Sequence, residues 1–398
     1  MIIDAAHRLD HIQEYYFAGK LREIRRRNTE GADIINLGIG NPDQGPSEGT
    51  VKELATQAID ADNHGYQPYK GIPELRNAFA QYYLGCYGVT LDPETEILPL
   101  MGSKEGIMHI SLAFLNPGDQ VLVPNPGYPA YASNARMAGA EPVLYELTEA
   151  QGWMPDLERL GDADLDRVKI MWINYPHMPT GAVAEEEDFE RLIQFAKAHG
   201  ILLVNDNPYS LVLNPEPRSI LHVPGAKEVA LELNSLSKSH NMAGWRIGMV
   251  AGRQDYVETV IRVKSNMDSG MFKPMQLAAV HALNQPLSFR ESINLEYAAR
   301  KEKIVELMET LGCEVRPDQV GMFVWARIPA TQESAATYAD QILDEARVFI
   351  TPGMIFGSQG AQYLRASLCT PIPRIEEALD RIRTAHISVT TKETTPSI

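Results

Sequence analysis

Lys238 stands in the segment SLSKSHNMAGWRIG (235–248), directly after the apolar run VALELNS (229–235). Ser235 and Ser237 precede it, and Arg246 follows eight residues on. A lysine amine attacks a carbonyl to form a Schiff base when its pocket favours the neutral amine. Neighbouring hydroxyls and a guanidinium are donors suited to a phosphate. The same residues also read as a solvated loop carrying a basic pair.

Three further segments have chemistry in them. Asp206 ends the run ILLVND (201–206), and Tyr209 follows in NDNPY (205–209). A buried carboxylate needs a partner. A protonated pyridine nitrogen would be one, but Asp-Asn-Pro is also strong turn chemistry. MGSKEGI (101–107) reads as a turn into a helix start. There the N–H groups of Gly102, Ser103 and Lys104 could cradle an anion, although a plain serine cap gives the same pattern. NPGYPAY (125–131) follows the run VLVP (121–124). Its Tyr128 offers either a face for a ring to stack on or an ordinary core side chain.

The elements that must position these residues alternate. Strands are expected at 121–124, KIMWIN (169–174), 201–206, 229–235 and IGMVAG (247–252). A helical pattern, EEEDFERLIQFAKAHG, leads into ILLVND and ends on Gly200, which suits a helix C-terminus. This alternation predicts an α/β fold with a mostly parallel central sheet and helices on both faces. Asn174, Asp206 and Lys238 are spaced 32 and 32 residues apart, about one strand–helix–strand unit each. Each lies at or just past a strand's C-terminal end, the edge where such sheets bind ligands. After about residue 290 the pattern shifts to a long charged helix (ESINLEYAARKEKIVELMETLG) and shorter strands, GMFVWARI (321–328) and YLRASL (363–368). These predict a smaller α+β domain.

The 398 residues exceed one ordinary core. A net charge of −16 argues against nucleic-acid or anionic-membrane partners. No apolar stretch approaches membrane-spanning length, and the opening MIIDAAHRLDHIQ has no apolar signal core. Cys86, Cys313 and Cys369 lie far apart. That points away from a metal site or a disulfide framework and toward a reducing, cytoplasmic setting.

Taken together and in this order, the segments resemble class I/II aminotransferases of the aspartate aminotransferase fold type. The resemblance runs from LGIGNPD (37–43) to YLRASL. It implies fold type I, pyridoxal 5'-phosphate as cofactor, and amino transfer between an L-amino acid and a 2-oxo acid in a ping-pong cycle. It implies that Lys238 holds the cofactor as a Schiff base and moves a proton between the substrate Cα and the cofactor C4′. Asp206 would pair with the pyridinium nitrogen. Tyr209 would bond the phenolic oxygen, and Tyr128 would stack on the ring. Asn174 would also contact the cofactor. Ser103, Lys104, Ser235, Ser237 and Arg246 would hold the phosphate. Tyr66 would reach the phosphate of a neighbouring subunit, which implies a homodimer with shared sites. Arg365 would bind the substrate carboxylate as a fork, with the Gly40 backbone alongside it.

The motifs GSKEGI (102–107) and SNMDSG (265–270) look most like the subgroup of LL-diaminopimelate and alanine aminotransferases. Asn266 and Ser269 are candidate pocket walls. No second arginine matches a motif for a distal carboxylate, and Arg262 and Lys264 read as a solvated basic helix face. The expected domains are an N-terminal segment (1–45) joining the small domain, a large cofactor domain (46–285), the small domain (286–390) and a frayed tail (391–398).

One position departs from the family pattern. Where asparagine usually contacts the phenolic oxygen and the substrate carboxylate, NYPHMPTG (174–181) has Met178. A thioether cannot donate that bond. His177 and Asn174 are the candidates to replace it. A lyase or synthase on the same scaffold is therefore the alternative reaction. A regulator's effector-binding part would need a DNA-binding domain ahead of a pattern that begins by residue 37, and is not expected.

Overall fold

The computed structural model describes residues 2–10, 16–385 and 387. The expected tail, 391–398, lies outside them.

The central sheet has seven strands. In chain order these are β2 (Ile97–Leu100), β3 (Gln120–Asn125), β4 (Glu141–Glu146), β5 (Val168–Ile173), β6 (Leu202–Asp206), β7 (Ala230–Ser235) and β8 (Gly248–Gly252); β1 (Ile35–Asn36) precedes them. Their spatial order is β2-β8-β7-β6-β5-β3-β4. The neighbours from β7 through β4 pair in parallel, whereas β8 runs antiparallel to both β7 and β2. That reversal matters for the site. The residues just before β8, Arg246 among them, reach the same edge as the residues just after β7.

The inner strands are mostly apolar because both faces are covered, whereas the edge strand β4 is largely exposed. Val121, Val123, Ile170, Trp172, Val204, Leu231 and Leu233 pack on one face with helices Ser103–Phe114, Ala130–Met137 and Gln254–Lys264. Leu122, Met171, Ile173, Leu203 and Met249 face the other core, with helices Pro73–Tyr87, Glu186–His199 and Lys273–Leu283. Trp172 is fully buried; truncating such a side chain to alanine costs about 3–5 kcal/mol.

Helix Glu186–His199 shows how local sequence sets an element. Glu185 and Asp188 form a reciprocal capping box at its start, and Gly200 ends it at φ 65° in the left-handed region.

Helix Leu287–Thr310 leads into the second sheet. Its strands are β9 (Glu314–Val315), β10 (Phe323–Arg327), β12 (Thr351–Pro352) and β13 (Tyr363–Ser367), in the antiparallel order β12-β13-β10-β9. Between them in sequence, β11 (Val348–Phe349) pairs in parallel with β1. This pairing ties the N-terminal segment to the C-terminal third of the chain.

Candidate active site

A cavity of about 630 Å³ opens at the C-terminal edge of the central sheet and is closed by residues from the N-terminal helix and the second sheet. Strands β2, β3, β5, β6 and β7 deliver groups there. Gly102 and Ser103 follow β2, Tyr128 follows β3, Asn174 follows β5, Asp206 ends β6 and Lys238 follows β7.

Lys238 lies in the short turn of helix Leu236–Ser239, which Ser235 caps by accepting the N–H of Ser237. Its Nζ donates to the Gly40 carbonyl at 2.5 Å. Burial lowers its pKa to about 8, and Arg365 and Arg246 push in the same direction. A side chain on Gly40 would place its Cβ 2.3 Å from the Phe323 ring, so only glycine lets this backbone pass so close.

At one end of the cavity the donors converge. Arg246 holds a left-handed φ of 57° and donates to the Ala243 carbonyl at 2.8 Å, with Ser237 Oγ at 3.5 Å. Ser235 Oγ bonds Ser237 Oγ at 2.9 Å. The helix carrying Ser103 and Lys104 begins behind Gly102, whose φ is 84°. A Cβ on Gly102 would fall 2.0 Å from Arg246 Nη2, so the cradle exists because that side chain is missing. Gly102, not Ser103, is the cap residue, and among the described residues no side chain caps this helix. Ser103 and Lys104, at this helix N-terminus, both line the cavity, where the positive end of the helix favours an anion.

Asp206 is buried, and its Oδ2 accepts the Tyr131 hydroxyl at 2.9 Å. Its Oδ1 meets no donor among the described residues. Burial raises its pKa to about 7, against the Tyr131 bond, which lowers it. A buried carboxylate with one oxygen unsatisfied calls for a cation, and a protonated ring nitrogen fits that requirement. Tyr131 stacks on Trp172 with ring centres 4.9 Å apart and planes 5° apart, and it meets Tyr128 edge to face. Tyr209 packs edge to face on Phe323.

At the far end is Arg365, in β13 between β12 and β10. Its guanidinium lies 3.9 Å from the Phe323 ring centre and 4.5 Å from that of Phe356. One nitrogen donates to the Gly38 carbonyl at 2.8 Å and another to the Met178 sulfur at 3.3 Å.

Both candidates to replace the missing asparagine at Met178 already have partners of their own. Asn174 donates to the Asp206 carbonyl and accepts the Met178 N–H at 2.8 Å, so its amide already braces the strand ends. His177 is buried 2.8 Å from Thr180 Oγ1, and burial lowers its pKa to about 3.

The structure thus brings Gly40, Ser103, Lys104, Tyr128, Asn174, Asp206, Tyr209, Ser235, Ser237, Lys238, Arg246 and Arg365 around one cavity. Tyr66, Asn266 and Ser269 are exposed and lie outside the lining of their own chain's cavity. The solvated-face reading of Arg262 and Lys264 needs correction. Arg262 is exposed, but Lys264 is fully buried and paired with Asp268; its (i, i+4) spacing to that aspartate was the available signal. Sequence reasoning also missed Tyr131, although it follows Tyr128 by only three residues in the same segment. It missed Phe17, Leu21 and Ile39, which line the substrate end through long-range packing.

The residues present suit pyridoxal phosphate: an anion cradle, a buried carboxylate needing a cation, and a lysine with a depressed pKa. Comparison with known proteins agrees. The family model "Aminotransferase class I and II" matches residues 32–382. The LL-diaminopimelate aminotransferase of Natranaerobius thermophilus is 39% identical over 382 residues, covering 96% of this chain and 99% of that one. The Desulforudis audaxviator protein of the same name is 41% identical, covering 95% and 97%. Substrate-bound BacF from Bacillus subtilis superposes with a TM-score of 0.92 at 35% identity, covering 96% of this chain and 98% of that one. A Thermus thermophilus aspartate aminotransferase mutant superposes with a TM-score of 0.89 at 28% identity, covering 96% and 100%. These relatives favour amino transfer over the lyase alternative. Matched along nearly its whole length, the chain belongs to the class I and II aminotransferases, enzymes that depend on pyridoxal phosphate.

Proposed function

We propose that this chain moves an amino group between an L-amino acid and a 2-oxo acid, with Lys238 as Schiff-base lysine and proton shuttle. Pyridoxal phosphate supplies the carbonyl that takes the amine and a conjugated ring that accepts the electron pair from the substrate Cα. The protein does the rest. Asp206 keeps the ring nitrogen protonated through its open oxygen. Tyr128 supports the ring, and Tyr209 bonds its phenolic oxygen. Ser103, Lys104, Ser235, Ser237 and Arg246 hold the phosphate. Arg365 forks the substrate carboxylate beside Gly40, and Lys238 moves the proton between Cα and C4′. The observation that carries this reading is a lysine with a lowered pKa sharing one cavity with a half-satisfied buried aspartate.

The relatives' name makes LL-diaminopimelate the first amino donor to test. A second reading has its own support. The charged residues lining the cavity are Lys104, Asp206, Lys238, Arg246 and Arg365, and the first four serve the cofactor. The walls near Arg365 are Phe17, Phe323 and Phe356. Such walls favour a donor with a single α-carboxylate and an apolar side chain.

The active unit in this reading is a homodimer. Tyr66 is 93% exposed, and a Cβ on Gly270 would lie 2.3 Å from the Gln67 carbonyl. The loop carrying Tyr66 and the segment carrying Asn266 and Ser269 therefore form one surface, suited to reaching the cavity of the partner subunit. We read 46–285 as the cofactor domain, with 1–45 and 286–390 as the small one, supported by the β1–β11 pairing. A cytoplasmic setting agrees with the three free cysteines. Among the described residues no helix is long and apolar enough to cross a membrane.

The test is an absorbance titration of the cofactor-loaded protein with glutamate, alanine, LL-diaminopimelate, leucine and phenylalanine. A productive donor converts the visible band to that of pyridoxamine phosphate and yields its 2-oxo acid. Release of ammonia would assign elimination instead.

A further inference from the structure

Four ionisable side chains meet behind the anion cradle, outside the cavity itself. Lys264 is 0% exposed, and its Nζ lies 2.5 Å from Asp268 Oδ2. Asp268 Oδ1 accepts the Gly270 N–H at 2.8 Å. From the phosphate helix, Glu105 and His109 face the same spot, with Nε2 of His109 3.1 Å from Glu105 Oε1. The ligand-type atoms of Glu105, His109 and Asp268 all lie within 4.8 Å of one another. The other Glu105 oxygen accepts the N–H of Met101, the residue before Gly102, at 2.6 Å. Glu105 thus pins the turn that opens the anion site.

The charges explain why Lys264 is there. Two carboxylates this close, in a largely buried place, repel each other strongly. An unpaired Asp268 would drive Glu105 away from Met101, and the turn would lose its brace. The Lys264 ammonium is the internal cation that lets both carboxylates stay. Lys264 and Asp268 sit on the last turn of helix Gln254–Lys264 and the segment after it, so the brace also joins two elements distant in sequence.

We propose that Lys264, acting through Asp268 and Glu105, is a positioning residue for the phosphate turn Gly102–Lys104. It touches neither cofactor nor substrate. Its effect is on the affinity for the phosphate group alone. The proposal rests on the cofactor reading above, and the test separates the two.

The measurement is the dissociation constant of the cofactor-free protein for pyridoxal phosphate and for pyridoxal, which lacks the phosphate. The variant is Lys264→Met, which leaves the Asp268 carboxylate unpaired beside Glu105; adding Asp268→Asn to it removes the repulsion and should reverse the effect. The expected result for Lys264→Met alone is a loss on the order of tenfold or more for pyridoxal phosphate, with pyridoxal unchanged. Lys264→Arg should restore the preference. Should Lys264→Met fail to fold, Glu105→Ala removes the bond to Met101 directly and must give the same selective loss. Equal weakening of both ligands would mean a merely structural role and would overturn the proposal, as would no change in either. If the wild type itself shows no preference for pyridoxal phosphate over pyridoxal, the cofactor reading fails and takes this proposal with it.

Discussion

Tyr131 donates its hydroxyl to Oδ2 of Asp206 at 2.9 Å, while Oδ1 of the same carboxylate meets no donor among the described residues. The aspartate is thus held in place by one oxygen and open to a ligand through the other. Tyr131→Phe should keep the ring stacked on Trp172 and leave the fold intact. Losing a bond to a charged group costs about 1.5–3 kcal/mol, so kcat should fall at least about tenfold while the melting temperature changes little. Steady-state kinetics beside thermal melts checks this.

Asp206 itself gives a pH signature. Its folded-state pKa is raised from 3.8 to about 7. Stability from its protonated form is therefore complete below the unfolded value and is lost as pH rises through about 7. In cofactor-free protein, Asp206→Asn should melt higher than wild type at pH 8. The gap should narrow as pH falls toward 5. The same variant should be nearly inactive when loaded, because a neutral amide does not hold the ring nitrogen protonated.

Lys238 has its pKa lowered to about 8, first by burial. The neutral amine attacks the carbonyl, so the rate of cofactor loading should rise with pH and level off just above 8. A free lysine would keep rising toward 10.5. Stopped-flow absorbance across pH 6–10 reads the midpoint directly.

Met178 has no N–H or O–H to offer the ring's phenolic oxygen where the family pattern has an asparagine, and Asn174 Nδ2 and His177 Nδ1 each already have a partner. A donor there favours the anionic oxygen. Met178→Asn should lower the pH midpoint of the loaded protein's visible absorbance by about one unit, and Met178→Leu should leave it unchanged. Equal midpoints in all three proteins would show that Met178 does not face that oxygen.

The Arg365 guanidinium packs against the Phe323 and Phe356 rings, and it offers a carboxylate a fork where an ammonium offers a point charge. Arg365→Lys should raise KM for the amino acid roughly tenfold to a hundredfold. The absorbance of the loaded protein should not change.

Much of this was legible in the sequence, for a physical reason. A parallel strand is a short apolar run, and the residue at its end faces the ligand edge, so Asn174, Asp206 and Lys238 could be placed by spacing alone. Arg246 was found by its distance from Lys238, but its reach to the cradle depends on β8 running antiparallel, which no local pattern reveals. Tyr131 was missed because a tyrosine packed on Trp172 looks like any core tyrosine until the end of β6 is beside it. Phe17 and Leu21 reach the cavity from helix Tyr16–Thr29, which is tied to the C-terminal third by Ile24 packing with Leu343 and by Arg27 bonding Asp344 across 317 residues of sequence. Lys264 was misread because its partner Asp268 lies beyond the helix end, where helical spacing is a weak guide.

The central claim is that Lys238 carries the cofactor. The most direct measurement is borohydride reduction of the loaded protein, followed by proteolysis and mass spectrometry. The account predicts the pyridoxyl-phosphate mass on the peptide containing Lys238, and none bound in that way in Lys238→Ala. Label on another lysine, or label unchanged in the variant, would contradict it.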